Sequence, residues 1–540
     1  MSYIDWTVLI VTLSAIILYG VYKSRTSKDL DGYFLSNRDM PWYLVLLSIM
    51  GTQASAITFL SAPGQAYTDG MRFVQYYFGL PLAMIVICIV FVPVFNKLKV
   101  YTAYEFLENR FDLKTRTLTS FLFQISRGLS TGISIYAPSL ILSSLLGWNI
   151  YYTNIIMGGM LIIYTVSGGA KAVAHTQKLQ LIIVFIGMFI AGYLVVHFMP
   201  ENVGFLKALH IGGDKGKMNI ITFGRNANGF DWKDKYNIWS GIIGGFFLAL
   251  SYFGTDQSQV GRYLTAQNNR QGKMGLLMNG IVKVPMQFLI LLLGVLVFSF
   301  YQFHKAPIYF NETQVERAKQ TTYKDALITL EGTYALLAPD DALGKSKIKT
   351  QYKRILTEAL PGEDVNDTNY IFLRFVIDYL PRGLIGLLIA VIFLSAWGSI
   401  AAALNALASC TVVDIHKRFV RKDLTTQEDY RMSKWYTFAW GIFSILVAEF
   451  ASNLGNSLIE TVNILGSLFY GVILGIFLVA FWCKTIQANA AFYASVITEI
   501  CIIIIYKADV ISFLWLNVIG ALLVIIFGYA IQLFMKKETV

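Results

Sequence analysis

Charge is scarce in this chain. Asp, Glu, Lys and Arg make up 14% of its 540 residues, where a soluble protein carries roughly 25%. The charge that is present crowds into short connectors between long apolar runs. Cysteine is scarce too. Cys88, Cys410, Cys483 and Cys501 all lie in or beside apolar runs, so each reads as a small buried hydrophobe and no disulfide framework is expected. The five histidines fall in loops or at run ends, with no His-x-x-x-His, no paired intramembrane carboxylates and no Gly-x-Ser-x-Gly. Those absences argue against a metal centre and against a membrane enzyme. A phosphate-binding Gly-x-x-x-x-Gly-Lys-Ser/Thr loop is also missing, which argues against direct ATP drive.

What is there is apolar length. Hydrophobic residues make up 56% of the chain, in runs near the roughly 20 residues that cross a bilayer as a helix. Lipid offers the backbone no hydrogen bonds, so such runs must be helices or a closed barrel. The alternating segments of about ten residues that mark a barrel do not occur. An all-α membrane protein with about thirteen spans is expected, near 6–22, 42–62, 73–96, 118–146, 150–167, 179–198, 239–255, 276–301, 383–413, 434–453, 461–482, 486–506 and 510–535.

The net charge of +11 invites a nucleic-acid reading, but membrane topology accounts for it. Lys23, Arg25, Lys28 and Arg38 follow the first span. Lys97, Lys99, Arg110, Lys114 and Arg116 follow the third, Lys171 and Lys178 the fifth, and Arg262, Arg270 and Lys273 the seventh. Lys417, Arg418, Arg421, Lys422 and Arg431 follow the ninth, and Lys536 and Lys537 close the chain. All fall on one side if the N-terminus is outside, and by the positive-inside rule that side is the cytoplasm. A plasma or inner membrane is the expected location. No basic residue precedes Trp6–Tyr22, so this run reads as an anchor and not a cleaved signal. Residues 199–238 and 302–382 then form outer connectors, the second with an amphipathic helix around Thr313–Leu330, and both read as a solvated cap.

Two spans are interrupted by small and polar residues. The second contains Gly51-Thr52-Gln53-Ala54-Ser55-Ala56-Ile57-Thr58, and the seventh ends Phe253-Gly254-Thr255-Asp256-Gln257-Ser258-Gln259. They lie five spans apart. Interrupted helices at matched places in two halves are the best sequence pointer to a carrier's binding site. Five spans per half make the halves inverted. Broken helices free carbonyls for cations and amides for anions, while close helix packing is the competing use of small residues.

Ionisable residues inside spans are costly and so are candidates for function. Arg127 has a planar fork suited to a carboxylate, or pairs with an acid across the bundle. Asp256 is placed at the cytoplasmic end of the seventh span, where pairing with Lys283 on the eighth is the favoured reading. Ser395 and Ser399 share one face of the ninth span, where hydroxyls suit sodium or bond a neighbouring helix.

Taken together, these stretches resemble the sodium/solute symporter family, whose members carry sugars, proline, sialic acid, iodide, monocarboxylates and vitamins. The resemblance covers roughly residues 5–300 and 380–485. It rests on Ser48–Phe59, Pro93–Phe95, Thr102–Phe106, Arg110-Phe111, Tyr136–Pro138, Tyr164–Val173, Gly254–Arg262 and Leu404-Asn405. Phe95–Phe111 and Tyr136–Pro138 look closest to the iodide, monocarboxylate and multivitamin branch.

The resemblance implies a LeuT-like 5+5 inverted repeat with one leading and two trailing helices. The corresponding segments are 1–38 (leading helix and loop), 39–198 (first repeat), 199–238 (loop), 239–482 (second repeat, with the 302–382 insertion) and 483–540 (trailing helices and tail). It implies sodium as the coupling ion and no organic cofactor. Carried over by position, the sodium ligands are the carbonyls of Gly51, Ala54 and Ser395 and the hydroxyl of Ser399. A second hydroxyl often found in the family falls here on Gly398. Where relatives with a second ion site often carry Asp, this chain has Gln177, which predicts a single coupled sodium. Positions matching the family's sugar site are Thr58, Tyr77, Asp256, Lys283 and Val462, with Asn463 beside the last; Gln257 is grouped with Asp256. The low polarity of Thr58, Tyr77 and Val462 argues against a common hexose, and Arg127 and Lys283 favour a carboxylate.

The sequence therefore reads as a symporter moving a small polar organic solute, possibly a carboxylate, with inward sodium by alternating access. A sugar symporter is the alternative within the family; a membrane enzyme or a channel is the alternative outside it. The expected partners are the solute and the bilayer, with no nucleic acid, and the expected unit is a monomer.

Overall fold

A computed structural model of the chain describes residues 1–23, 29–227, 229–338, 341–423, 425–451 and 457–535. Of the basic residues used for topology, Arg25, Lys28, Lys536 and Lys537 lie outside them, as do the side chains of Lys23 and Lys171. Apart from a two-residue antiparallel pair (Arg225–Asn226 with Gly229–Phe230) and a bridge between Met40 and Ala266, the described chain is built of helices, turns and loops.

The leading helix α1 runs Tyr3–Lys23. The first broken span is α2 (Trp42–Gln53) followed by α3 (Ala56–Asp69), bent by 60°. Then come α4 (Met71–Leu98), α5 (Leu113–Leu146) and α6 (Ile150–His197). The second broken span is α7 (Gly245–Gly254) and α8 (Gln257–Tyr263). It is followed by α9 (Asn269–Phe300). The insertion holds α10 (Glu312–Ala318), α11 (Lys324–Leu336), α12 (Ala342–Ala359) and α13 (Ile371–Tyr379). The remainder is α14 (Leu384–Val420), α15 (Thr426–Phe450), α16 (Leu458–Trp482), α17 (Ala488–Lys507) and α18 (Phe513–Phe534). Among the described residues, eight helices are long and apolar enough to cross a membrane, nine with the bent pair, and three shorter apolar helices accompany them.

The breaks have local causes. In regular helix the amides of Ser55 and Thr58 would bond the carbonyls of Gly51 and Ala54. They go instead to Gln53 (3.0 Å) and Ser55 (3.0 Å). The carbonyls of Gly51 and Ala54 thereby lose their helical donors. In the second break Thr255 (φ −130°) leaves the helix and Asp256 turns extended. Asp256 then caps α8, its Oδ1 accepting from the amide (2.8 Å) and hydroxyl (2.6 Å) of Ser258. The seventh span thus continues to Tyr263. Asp256 lies in its middle and not at its cytoplasmic end, because an acid with free oxygens restarts a helix as readily as it ends one.

The layout around these breaks is fixed by packing. α14 is buried along nearly its whole length and packs against α6 and α5. α1 buries Asp5, Leu9 and Ile16 against α6 and α14 and exposes most of the rest. The insertion has its own small core of Ile308, Leu327, Leu330, Tyr352 and Leu356, apart from the main core. The helix expected around Thr313–Leu330 is two helices, α10 and α11, since residues 319–323 form a turn closed by Thr321. The insertion seats on α3 at Gly64, where a Cβ would come within 2.0 Å of the Thr368 carbonyl oxygen.

Candidate functional site

Both breaks border one cavity of about 140 Å³. α2 and α3 supply Gln53, Ser55 and Thr58, α4 supplies Tyr76 and Tyr77, and α5 supplies Arg127. Lys283 comes from α9, Ser399 from α14, and Val462, Asn463 and Tyr470 from α16. Five candidate substrate residues named from sequence — Thr58, Tyr77, Arg127, Lys283 and Asn463 — line this one space. Asp256 stands behind Arg127.

The two cations in this wall are in different situations. Arg127 forms an ion pair with Asp256 and donates to the Tyr470 hydroxyl (2.8 Å). Tyr470 in turn donates to Asp256 Oδ2 (3.0 Å), and the guanidinium lies 5.3 Å from the centre of the Tyr252 ring. This closed triad ties the second break to α5 and α16. The pairing reading of Arg127 is the one the geometry realises, and Asp256 does not pair with Lys283. Once an arginine fork has satisfied Asp256, that acid has no further use for a second cation.

Lys283 is 2% exposed. Among the described residues no acid and no hydrogen-bond partner is recorded for its ammonium; its one recorded contact is the Tyr77 ring, 5.4 Å from Nζ to the centroid. A buried ammonium on an aromatic face is only partly compensated.

Gln257 is not part of this wall. Its side chain turns away from the cavity, accepting from the Ala103 amide (3.0 Å) and donating to the Tyr101 carbonyl (2.7 Å). It is a tie between α8 and the 101–104 turn, a use that short spacing from Asp256 gave no hint of. Thr58 bonds the Gln53 carbonyl across the first break (3.2 Å), and Asn463 accepts from Tyr76 (3.0 Å). Tyr76, Tyr252 and Tyr470 join the wall without having been singled out in the sequence. Tyr76 had a signal, since it adjoins Tyr77; the other two had none.

Of the candidate sodium residues, Gly51 and Ala54 lie at the first break, Ser399 lines the cavity beside it, and Ser395 lies one turn before Ser399 on α14. The freed carbonyls of Gly51 and Ala54 are on the α2 side of that break, and the Ser399 hydroxyl opens on the cavity from α14. Ser399 Oγ donates to the Ala396 carbonyl (3.0 Å), which leaves its oxygen able to accept a cation, while Ser395, expected to contribute its carbonyl, has its hydroxyl on the Val391 carbonyl (2.8 Å). Carbonyl and hydroxyl oxygens fit a hard cation of sodium's kind.

Between α2 and α14 lies Gln177, fully buried. Its Nε2 donates to the Gly398 carbonyl (3.1 Å) and reaches Thr52 Oγ1 (3.4 Å), while Oε1 accepts from Ser48 (3.1 Å). Two glycines make room for it. A Cβ on Gly51 would sit 2.8 Å from Gln177 Cβ and Cγ; one on Gly398 would sit 2.7 Å from Gln180 Oε1 and 3.2 Å from Gln177 Cγ.

This arrangement can be set beside known proteins. The model of the sodium:solute symporter family matches residues 33–331 and 350–498. The sodium/sialic acid symporter NanT of Aliivibrio fischeri is 26% identical over 97% of this chain and 92% of its own. Human sodium-coupled monocarboxylate transporter 1 is 26% identical over 88% of this chain and 68% of its own. The human sodium/iodide cotransporter is 27% identical over 85% and 62%. A solved structure of a Na+-coupled sialic acid symporter, in a substrate-bound outward-open state, superposes with a TM-score of 0.79 over 99% of this chain and 98% of that one, at 23% identity. That likeness establishes the LeuT-like fold.

Proposed function

The chain belongs to the sodium:solute symporter family, and from that premise we propose that it couples one inward sodium ion to uptake of a small carboxylate-bearing solute. Lys283 is the observation that carries this reading. It is the one charged residue in the cavity wall without a recorded acidic partner among the described residues. An ammonium buried without a counter-ion is costly by several kcal/mol, and a bound carboxylate supplies the counter-ion. Arg127, already matched by Asp256, shapes the wall instead of taking the anion.

The size of the cavity supports a small solute. About 140 Å³ is near the volume that holds a benzene ring. Tyr76, Tyr77 and Tyr252 offer apolar faces for the rest of the solute.

Sodium is assigned to Gly51, Ala54, Ser395 and Ser399. A single ion is favoured because Gln177 is neutral and its amide is already bonded on both sides. One sodium entering with one monovalent anion makes the cycle electroneutral. For a neutral solute the same ion would supply about 2.3 kcal/mol per 100 mV and about 1.4 kcal/mol per tenfold gradient. Residues 39–198 and 239–482 act as the inverted repeats, and rocking of the core against the scaffold gives alternating access. The N-terminus and the insertion face outward from a plasma or inner membrane, and one chain supplies every cavity group, so a monomer suffices.

The test is thermal stabilisation of the purified protein by a solute panel, with and without sodium. Small carboxylates are expected to raise the melting temperature only with sodium present, and Lys283→Gln is expected to abolish that rise while leaving the shift from sodium alone. Equal stabilisation by the neutral amide of the same solute, or by a hexose, would refute the carboxylate assignment and favour the sugar alternative.

A further inference from the structure

The start of α14 has no side chain of its own to cap it. Its N-cap residue is Gly383 (φ 88°), and the first amides of a helix lack intrahelical acceptors. Asp5, on the leading helix, supplies the acceptor from another segment. Its Oδ1 accepts from the Gly383 amide (2.6 Å) and lies 3.4 Å from the Gly386 amide. Its Oδ2 is held by the amide (2.8 Å) and hydroxyl (2.7 Å) of Ser2. The residue is 1% exposed. A carboxylate there also faces the positive end of the α14 dipole. The backbones meet at the same point: a Cβ on Gly386 would come within 2.0 Å of the Asp5 carbonyl oxygen.

α14 is the helix that carries Ser395 and Ser399, and α6, the other helix that α1 packs on, carries Gln177. Ser395 lies nine residues beyond Gly386, about 14 Å along a helix that rises 1.5 Å per residue. A rod fixed at its first turn cannot slide, so whatever holds that turn also sets the depth of the hydroxyls below it. Leu9 and Ile16 continue the seam, but they are apolar contacts and permit sliding. The carboxylate, with directional bonds to two amides, does not.

We infer that Asp5 is a positioning residue for the sodium site: by capping α14 from the leading helix it fixes the axial register of Ser395 and Ser399 against the first break. The inference rests on the sodium assignment above. A helix outside the two repeats thereby takes part in ion coupling.

Sodium titrations of the full chain, read by thermal stabilisation and by uptake in proteoliposomes, test this. Asp5→Asn removes the charge and turns an amide nitrogen towards either Ser2 or the α14 amides. It is expected to raise the half-saturating sodium concentration at least fivefold, with solute affinity at saturating sodium unchanged. Leu9→Ala, which loosens the same seam without touching the cap, is expected to lower the melting temperature and leave the sodium half-point alone. An unmoved half-point in Asp5→Asn, or an equal movement in Leu9→Ala, overturns the inference. Should Asp5→Asn not fold, Ser2→Ala removes one of the two donors that hold Oδ2 and is read the same way, with at least a twofold rise expected and no rise overturning the inference. A wild-type protein with no sodium dependence at all would instead overturn the sodium assignment itself.

Discussion

The two broken helices are matched in position and opposite in chemistry. The first, between α2 and α3, leaves the carbonyls of Gly51 and Ala54 without helical donors and is bridged along its own chain by the Thr58 hydroxyl. In the second, between α7 and α8, the Asp256 side chain takes two bonds from Ser258 and is clamped by Arg127 and Tyr470. A break is a supply of unmet backbone polarity. Whether it becomes an ion site or a fixed joint depends on whether side chains use up that supply. Here the first keeps carbonyls without helical donors and the second is clamped into the cavity wall.

Three substitutions probe that contrast. The largest effect is expected at the locked break. Asp256→Ala leaves Arg127 buried without its acid, and breaking a buried pair from one side costs about 3–5 kcal/mol. Thermal melting should show a severe loss, with partial recovery when Arg127→Met is added. A loss no greater than that of a surface change would mean the second break is not clamped. Next, Gly51→Ala drives a methyl into Gln177 and is expected to cost about 1–3 kcal/mol, relieved by Gln177→Ser in a double-mutant cycle. Additive costs would deny that the two positions share one space. The smallest in energy bears directly on function. Ser399→Ala should weaken sodium about tenfold, or about 1.4 kcal/mol, while sodium-free stability hardly moves. An unchanged sodium titration would take Ser399 out of the ion site.

Much of this contrast was written in the sequence. Small and polar residues inside apolar runs marked both breaks, because close packing alone explains the small residues of Gly-Thr-Gln-Ala-Ser but not its polar side chains. Arg127 and Lys283 stood out as ionisable groups at bilayer depth, while Thr58 and Asn463 were named only through the family resemblance. What could not be read was pairing. Arg127 and Tyr470 are 343 positions apart, and nothing in local spacing says that α5 and α16 present them to the same acid. For the same reason Asp256 was assigned to Lys283, its nearer neighbour in sequence, and Gln257 to the solute and not to a turn 156 residues away. Asp5 escaped notice because an acid at the head of a first helix reads as an end-cap of its own segment. Its use on α14 depends on two helices starting at one level.

The packing of Gln177 over Gly51 and Gly398 bears on how such a site changes over generations. A side chain at position 51 meets Gln177, one at position 398 meets Gln180 before Gln177, and Gln177→Asp leaves a void and a charge together. The cost of a change at position 51 therefore depends on the residue at position 177.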